Sequence, residues 1–277
     1  MPHPLTPAPR LSLDDGATIP QLGYGTYKVP SADVTRLCLE AIDIGYRRLD
    51  TAALYGNEEG VGRAAREADV PREQLFVTTK VWKDDNGYDP TLRAFDQSVA
   101  RLGLDLLDLY LIHWPVPSTD RYVDSWRALI RLQEEGRVRS IGVSNFHEHH
   151  IQRLIDETGV APVVNQVELH PWLPQTALRE FDEARDIRTE AWSPLARGRV
   201  LGTPLLDDLA DKHGRTPAQI VLRWHIELGN LVIPKASSPE RIRENLDVFD
   251  FALDPDDLAA MATLESGERT GRDPDRD

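Results

Sequence analysis

Cys38 is the only cysteine in 277 residues, so neither a disulfide framework nor a cysteine-based zinc site can form. Its setting, Arg36-Leu37-Cys38-Leu39-Glu40-Ala41, reads as the apolar face of a helix, which makes the thiol buried and inert. No stretch approaches the roughly 20 apolar residues that a membrane-crossing helix needs. The first ten residues are rich in proline and lack an apolar run after a basic start, so they do not read as a signal peptide. The cytoplasm is the expected location. Positive charge is also short: 32 Lys+Arg stand against 46 Asp+Glu, for a net charge of -14. Such a field repels nucleic acid and argues against it as a partner. It also poses a difficulty for any phosphate-bearing ligand, which would need a local basic patch. Lysine is far scarcer than arginine, with five of the 32 basic residues.

What is present is regular punctuation. Leu11-Ser12-Leu13-Asp14-Asp15-Gly16-Ala17-Thr18-Ile19 alternates around an Asp-Gly pair, a hairpin signal. Short apolar, β-rich runs follow at residues 23–27, 47–51, 75–80, 107–114, 140–145, 163–169, 188–193 and 231–235. Segments of helical period alternate with them, including 32–44, 58–68, 92–102, 125–135, 151–157, 177–184 and 217–227. Gly45, Gly103, Gly136, Gly159 and Gly229 stand where helices end. Alternation of this kind implies a parallel sheet with right-handed crossovers. A length of 277 residues could hold about two domains, but eight strand–helix units fit one (β/α)8 TIM barrel. A doubly wound open sheet fits less well, because no Gly-x-Gly-x-x-Gly follows the first strand. One domain over residues 1–277 is expected, with a flexible start at 1–10, an N-terminal hairpin and an irregular tail at 266–277.

Barrel chemistry gathers at the C-terminal ends of the strands. Those ends carry Asp50, Lys80, His113, Asn145, Gln166 or Glu168, Ser193 and Lys235, with Tyr55 in the loop after Asp50. The set supplies an acid, a base, a cation and a phenol. Two of the five lysines fall at these ends, where a compact charge on a flexible stem differs from what arginine offers.

Six ordered motifs carry a resemblance. They are Asp50-Thr51-Ala52-Ala53-Leu54-Tyr55-Gly56-Asn57-Glu58, Thr79-Lys80, Ile112-His113-Trp114-Pro115, Gly142-Val143-Ser144-Asn145-Phe146, Asn165-Gln166-Val167-Glu168-Leu169-His170-Pro171, and Ile233-Pro234-Lys235 with Arg241 and Glu244-Asn245. Together they resemble the aldo-keto reductase family, nearest its short-looped microbial branch typified by 2,5-diketo-D-gluconate reductase. Residues 182–191 and Gly271-Arg272-Asp273-Pro274-Asp275 look like that branch too.

The resemblance implies NADPH-dependent reduction of aldehydes, ketones, α-dicarbonyls or keto-sugars. Tyr55 would be the general acid, with its pKa lowered by a nearby Lys80 ammonium. Asp50 would hold Lys80, and His113 would orient the carbonyl. Ser144, Asn145 and Gln166 would fix the nicotinamide carboxamide, and Trp192 would stack on the ring where many relatives carry Tyr. Thr26 would lie near the nicotinamide ribose, and Ser193 and Leu195 would pass over the pyrophosphate. Lys235, Ser237 and Arg241 would surround a 2′-phosphate, with Glu244 and Asn245 at the adenine. Ala236 departs from the Ser common there, which leaves NADH as a weaker alternative cofactor. Tyr27, Trp82 and Trp114 would wall the substrate pocket.

Other readings fit fewer residues. A class I aldolase would also place a lysine at a strand end, but it has no use for Tyr55 or the Ser144-Asn145 pair. A non-catalytic nicotinamide-binding sensor or structural subunit would keep the barrel, yet none of Asp50, Tyr55, Lys80 and His113 is missing. His147-Glu148-His149-His150 lacks His-Glu-x-x-His spacing and reads as a solvated polar patch, so no metal is expected. The expected partner is a small carbonyl compound, without nucleic acid or membrane, and the chain is expected to be a monomer.

Overall fold

The computed structural model describes residues 5–276. Residues 1–4 of the expected flexible start, and Asp277 of the expected tail, lie outside the described residues. The hairpin forms from β1 (Arg10–Ser12) and β2 (Thr18–Pro20), paired antiparallel with Leu11 opposite Ile19. Gly16 takes φ 83 in the turn, a conformation that costs glycine nothing.

Eight parallel strands follow: β3 (Tyr24–Gly25), β4 (Arg48–Asp50), β5 (Phe76–Val81), β6 (Leu107–Ile112), β7 (Val138–Ser144), β8 (Val164–Glu168), β9 (Arg188–Trp192) and β10 (Leu231–Val232). Each falls on one of the eight runs read from the sequence. Neighbours in the chain are neighbours in the sheet throughout. The two edges then meet. Gly23 N donates to Val232 O, Val232 N to Gln21 O, and Gly25 N to Pro234 O at 3.1 Å, closing the barrel. At this seam a Cβ on Gly25 would lie 2.8 Å from the Ile233 carbonyl oxygen, so the close approach of the two backbones requires glycine. β10 is short because Pro234 has no N–H to extend the ladder.

Helices α1 (Ser31–Ile44), α2 (Glu58–Glu67), α3 (Tyr88–Leu102), α4 (Tyr122–Glu134), α5 (Glu148–Thr158), α6 (Thr176–Glu183), α7 (Pro204–His213), α8 (Pro217–Glu227), α9 (Pro239–Leu246) and α10 (Pro255–Ala262) surround the strands. Helices α7, α9 and α10 are not among the segments read from periodicity. α9 has only eight residues, Pro-Glu-Arg-Ile-Arg-Glu-Asn-Leu, and presents too few apolar positions for a stripe. Among the described residues, no helix is long and apolar enough to cross a membrane. Cys38 is fully buried in the layer between α1 and the sheet, and burial drives its pKa far up, so the thiol stays protonated.

The hairpin plugs the N-terminal end of the barrel. Leu13 and Ile19 pack with Phe76, Leu109, Leu111, Val163, Val164 and Leu231. Above that apolar plug the barrel interior is charged. Arg48 and Glu190 form a fully buried ion pair there. The C-terminal end is left as the open face.

Candidate active site

The strand ends deliver the polar side chains to one place. Asp50 is the last residue of β4, and Lys80 sits one residue before the end of β5. Lys80 Nζ donates to Asp50 Oδ1 at 2.7 Å and to the Thr51 carbonyl at 2.8 Å, with both side chains buried. The chain then makes a single 310 turn, Ala53–Tyr55, and Gly56 ends it at φ 65. That turn folds the Tyr55 ring back over the pair, with Lys80 Nζ 5.2 Å from the ring centroid. His113 follows β6, its backbone N–H tied to Val81 O and its carbonyl accepting from Asn145 Nδ2 at 2.9 Å. Its ring meets Trp82 and Tyr55 edge-on, with centroids 5.2 and 5.8 Å away.

The electrostatics of Tyr55 and His113 differ in one respect from the sequence expectation. Burial, followed by the negative charge of Asp50, pushes the Tyr55 pKa well up, not down. The Lys80 charge is already engaged by Asp50. Tyr55 therefore keeps its proton in the free protein. Burial, followed by the Lys80 charge, holds His113 well below the usual imidazole range, so the ring is neutral. Its Nδ1 is buried without a hydrogen-bond partner.

A second network lies behind this one. Gln166 Nε2 donates to Asp50 Oδ2 and to Glu190 Oε2, both at 2.9 Å. Arg48, Glu190, Gln166, Asp50 and Lys80 thus form one continuous chain through the barrel. Burial and the nearby Asp50 charge push Glu190 up, while Arg48 opposes that rise. With Gln166 Nε2 committed to two carboxylates, its Oε1 is the atom left for a ligand. Ser144 Oγ donates to the Gln166 carbonyl at 2.8 Å, and Asn145 holds φ 62. Trp192, the last residue of β9, donates from Nε1 to Asn145 Oδ1 at 2.8 Å. Ser193, next in the chain, turns it at φ 48.

All of this opens into one cleft of about 1350 Å³. Asp50, Tyr55, His113, Ser144, Asn145, Gln166 and Trp192 line its centre. Tyr27, Trp82 and Trp114 line it too, as do Ser193, Leu195, Lys235, Arg241, Glu244 and Asn245. Three predicted residues sit elsewhere. Lys80 is wholly buried behind Asp50. Thr26 is wholly buried as well and donates its hydroxyl to the Asp50 carbonyl at 2.8 Å, so it positions β4 and does not face the cleft. Ser237 accepts from Lys235 Nζ outside the lining.

The cleft also recruits residues that the motifs did not mark. Lys28, Lys83, Arg197, Arg272 and Arg276 join Lys235 and Arg241 in the lining, against Asp50 and Glu244 as the acids. A chain of net charge -14 therefore keeps a basic cleft. Among the described residues, neither Lys235 nor Arg241 forms an ion pair. Both are available to an anion, and the cleft fits a long phosphate-bearing cofactor. Thr270, Gly271, Arg272, Pro274 and Arg276 bring the tail over the rim. Glu168 anchors it by accepting from Thr270 N, Thr270 Oγ1 and Gly271 N. Burial disfavours the Glu168 carboxylate, but these bonds and that from His170 outweigh it and hold the pKa low. Gly271 packs flat on the indole, since a Cβ there would meet Trp192 Cη2 at 2.5 Å.

Comparison with known proteins agrees with the motif reading. The pattern of the Aldo/keto reductase family matches residues 21–266. The chain is 54% identical over 267 residues to an aldo-keto reductase of Mycolicibacterium smegmatis, covering 96% of this chain and 97% of that one. It is 52% identical over 268 residues to methylglyoxal reductase DkgA of Escherichia coli, with 96% and 97% covered. Among solved structures, the Gox0644 D53A mutant in complex with NADPH superposes with a TM-score of 0.94 at 48% identity, covering 98% of this chain and 99% of that one. An aldo/keto reductase from Brucella melitensis superposes with a TM-score of 0.91 at 53% identity, covering 93% and 98%. The chain belongs to the aldo/keto reductase family.

Proposed function

We propose that this chain reduces small carbonyl compounds, among them aldehydes, α-dicarbonyls such as methylglyoxal, and keto-sugars, using NADPH. One observation carries the reading. A protonated Tyr55 and a neutral His113 stand together on the cleft floor, above a buried Lys80–Asp50 pair. NADPH supplies the hydride when bound.

The chain's own residues supply the rest. Tyr55 holds the proton that the carbonyl oxygen needs as charge develops on it. The Lys80 ammonium stabilises the phenolate left behind, so a phenol that is reluctant in the free protein becomes an acid once negative charge builds beside it. Neutral His113 offers an N–H to the same oxygen and orients it. Gln166 Oε1 accepts from the carboxamide, and the Trp192 indole supplies the surface for the nicotinamide. Lys235 and Arg241 take the 2′-phosphate, which favours NADPH over NADH. Ala236 adds no hydroxyl there, and Ser237 braces Lys235 in its place.

The test is loss of absorbance of the reduced nicotinamide over a panel of aldehydes, α-dicarbonyls and keto-sugars, with wild type and Tyr55→Phe. Wild-type turnover with NADPH, cut by about 10²–10⁴-fold in the variant, is expected. Near-normal turnover by Tyr55→Phe would sink the assignment.

A further inference from the structure

The run His147-Glu148-His149-His150 lacks a metal-binding spacing of its own, but the fold brings it the carboxylates it was missing. Asp273 and Asp275 arrive from the tail, more than 120 residues later, and face all three imidazoles. We propose that this cluster binds a single Zn²⁺ ion and that the ion clamps the C-terminal tail to the start of α5.

The distances carry the argument. His149 Nε2 lies 3.2 Å from Asp275 Oδ1, and His150 Nε2 lies 3.3 Å from the same oxygen. A tetrahedral zinc with bonds of about 2.0–2.1 Å has ligand atoms about 3.3 Å apart, so these edges already have the right length. His147 Nε2 is 3.2 Å from Asp273 Oδ1 and 4.0 Å from Asp275 Oδ2. Both triplets, His149-His150-Asp275 and His147-Asp273-Asp275, hold their donor atoms within 4.8 Å of one another. Asp275 belongs to both and is the shared ligand.

A second observation points the same way. His150 is 1% exposed, and its buried Nε2, aimed at Asp275, makes no hydrogen bond. Its Nδ1 accepts from the His147 backbone N–H at 3.1 Å. Ligation through Nε2 moves the ring proton to Nδ1 and gives up that bond, which is the His150 half of a capping box with His147. His149 and Asp275 need no such change. Asp273 and Asp275 together carry the two negative charges that neutralise a dication, and four of the five donors complete a tetrahedral shell. The mixed nitrogen and oxygen set favours zinc over magnesium or calcium, which prefer oxygen alone.

The clamp bears on the cleft because Asp273 and Asp275 flank Pro274, and Pro274 and Arg272 line the rim. Zinc occupancy therefore restrains the rim without touching Tyr55, Lys80 or the cofactor cations.

Tag-free protein titrated with ZnCl₂ in a calorimeter tests the site, beside His149→Ala and Asp275→Asn. Both side chains are substantially exposed, at 62% and 50%, so the variants should fold and keep metal-free NADPH oxidation. One saturable site per chain is expected, weakened roughly tenfold or more by either substitution. Hydrogen exchange across residues 270–276 should slow at least threefold with zinc in wild type alone. No saturable binding, binding by either variant equal to wild type, or unchanged tail exchange would each overturn the proposal. None of these readouts depends on the proposed activity.

Discussion

Trp192 donates its indole N–H to the side-chain oxygen of Asn145 at 2.8 Å, so the residue on β9 that faces the cleft is fixed by the residue that follows β7. The other face of the relationship is steric, because the Gly271 backbone lies against the same indole. The ring is thus locked before any ligand arrives, and a pre-ordered surface costs less entropy to stack upon. Trp192→Phe keeps an aromatic face and loses the anchor. The dissociation constant for NADPH, read by titrating protein fluorescence, should rise about 2- to 10-fold, the range for one neutral hydrogen bond. An unchanged constant would show that the anchor does not matter for the stack.

Lys80 and Asp50 make a different kind of pair. Neither side chain is more than 2% exposed, so each neutralises a charge that could not otherwise stay there. Lys80→Met removes the cation proposed to stabilise the Tyr55 phenolate, while the residues proposed to hold the cofactor stay in place. Turnover should fall by at least about 10²-fold with the NADPH dissociation constant changed by less than about threefold. The same variant leaves Asp50 buried without its partner and should lower the stability by about 3–5 kcal/mol in denaturant titration. Asp50→Asn on the Lys80→Met background relieves that burial and should recover stability without recovering turnover.

The sequence carried the barrel because each strand is a short β-rich run closed by a polar residue, and the register of that alternation is what builds the site. Asp50, Lys80, His113, Ser144 and Trp192 all fall at or beside strand ends, so counting along the chain places them together. Arg48 and Glu190 escaped that reading because they sit one turn of side-chain alternation lower, inside the barrel, where a charge finds its partner only across the closed sheet. The tail escaped for a similar reason. Residues 270–276 have no period of their own, and their position depends on Glu168 accepting three hydrogen bonds from Thr270 and Gly271. Its one visible signal was the resemblance of Gly271-Arg272-Asp273-Pro274-Asp275 to the microbial branch. The sign of the Tyr55 shift was also beyond the motifs, since it is set by depth of burial and by Asp50 having already claimed Lys80.

Asp182 gives the stability a pH dependence of unusual sign. It is wholly buried on α6, and burial pushes its carboxyl up to about 7 although Thr189 Oγ1 and Asn165 Nδ2 donate to Oδ2. Its Oδ1 has no hydrogen-bond partner. The folded protein holds this proton more tightly than the unfolded chain, whose carboxyl titrates near 4. Stability contributed by the neutral form is therefore complete at low pH and is lost as pH rises through about 7. The loss approaches about 1.4 kcal/mol per pH unit between about 4 and about 7 and levels off above that. Asp182→Asn keeps the acceptor for Thr189 and removes the titration. Thermal denaturation between pH 5 and 8 should show a flatter profile for the variant and a higher Tm than wild type at pH 8. Parallel profiles would place the dependence in another group.

Arg241 tests the basic end of the cleft against the acidic whole. Its guanidinium is exposed, forms no ion pair among the described residues, and stands with Lys235 on the cleft lining. A surface charge of this kind contributes little to folding, so the variant Arg241→Ala should keep its Tm within about a degree or two. A 2′-phosphate changes the balance, because a guanidinium–phosphate contact is worth about 1.5–3 kcal/mol and NADH has no such group to offer. The KM for NADPH should rise about 10- to 100-fold while that for NADH stays within about twofold. On the proposed reading Lys235 shares the phosphate, so Lys235→Met should act in the same direction and the double variant should bring the two cofactors close to parity. Equal losses with both cofactors would mean that Arg241 shapes the cleft and does not read the phosphate.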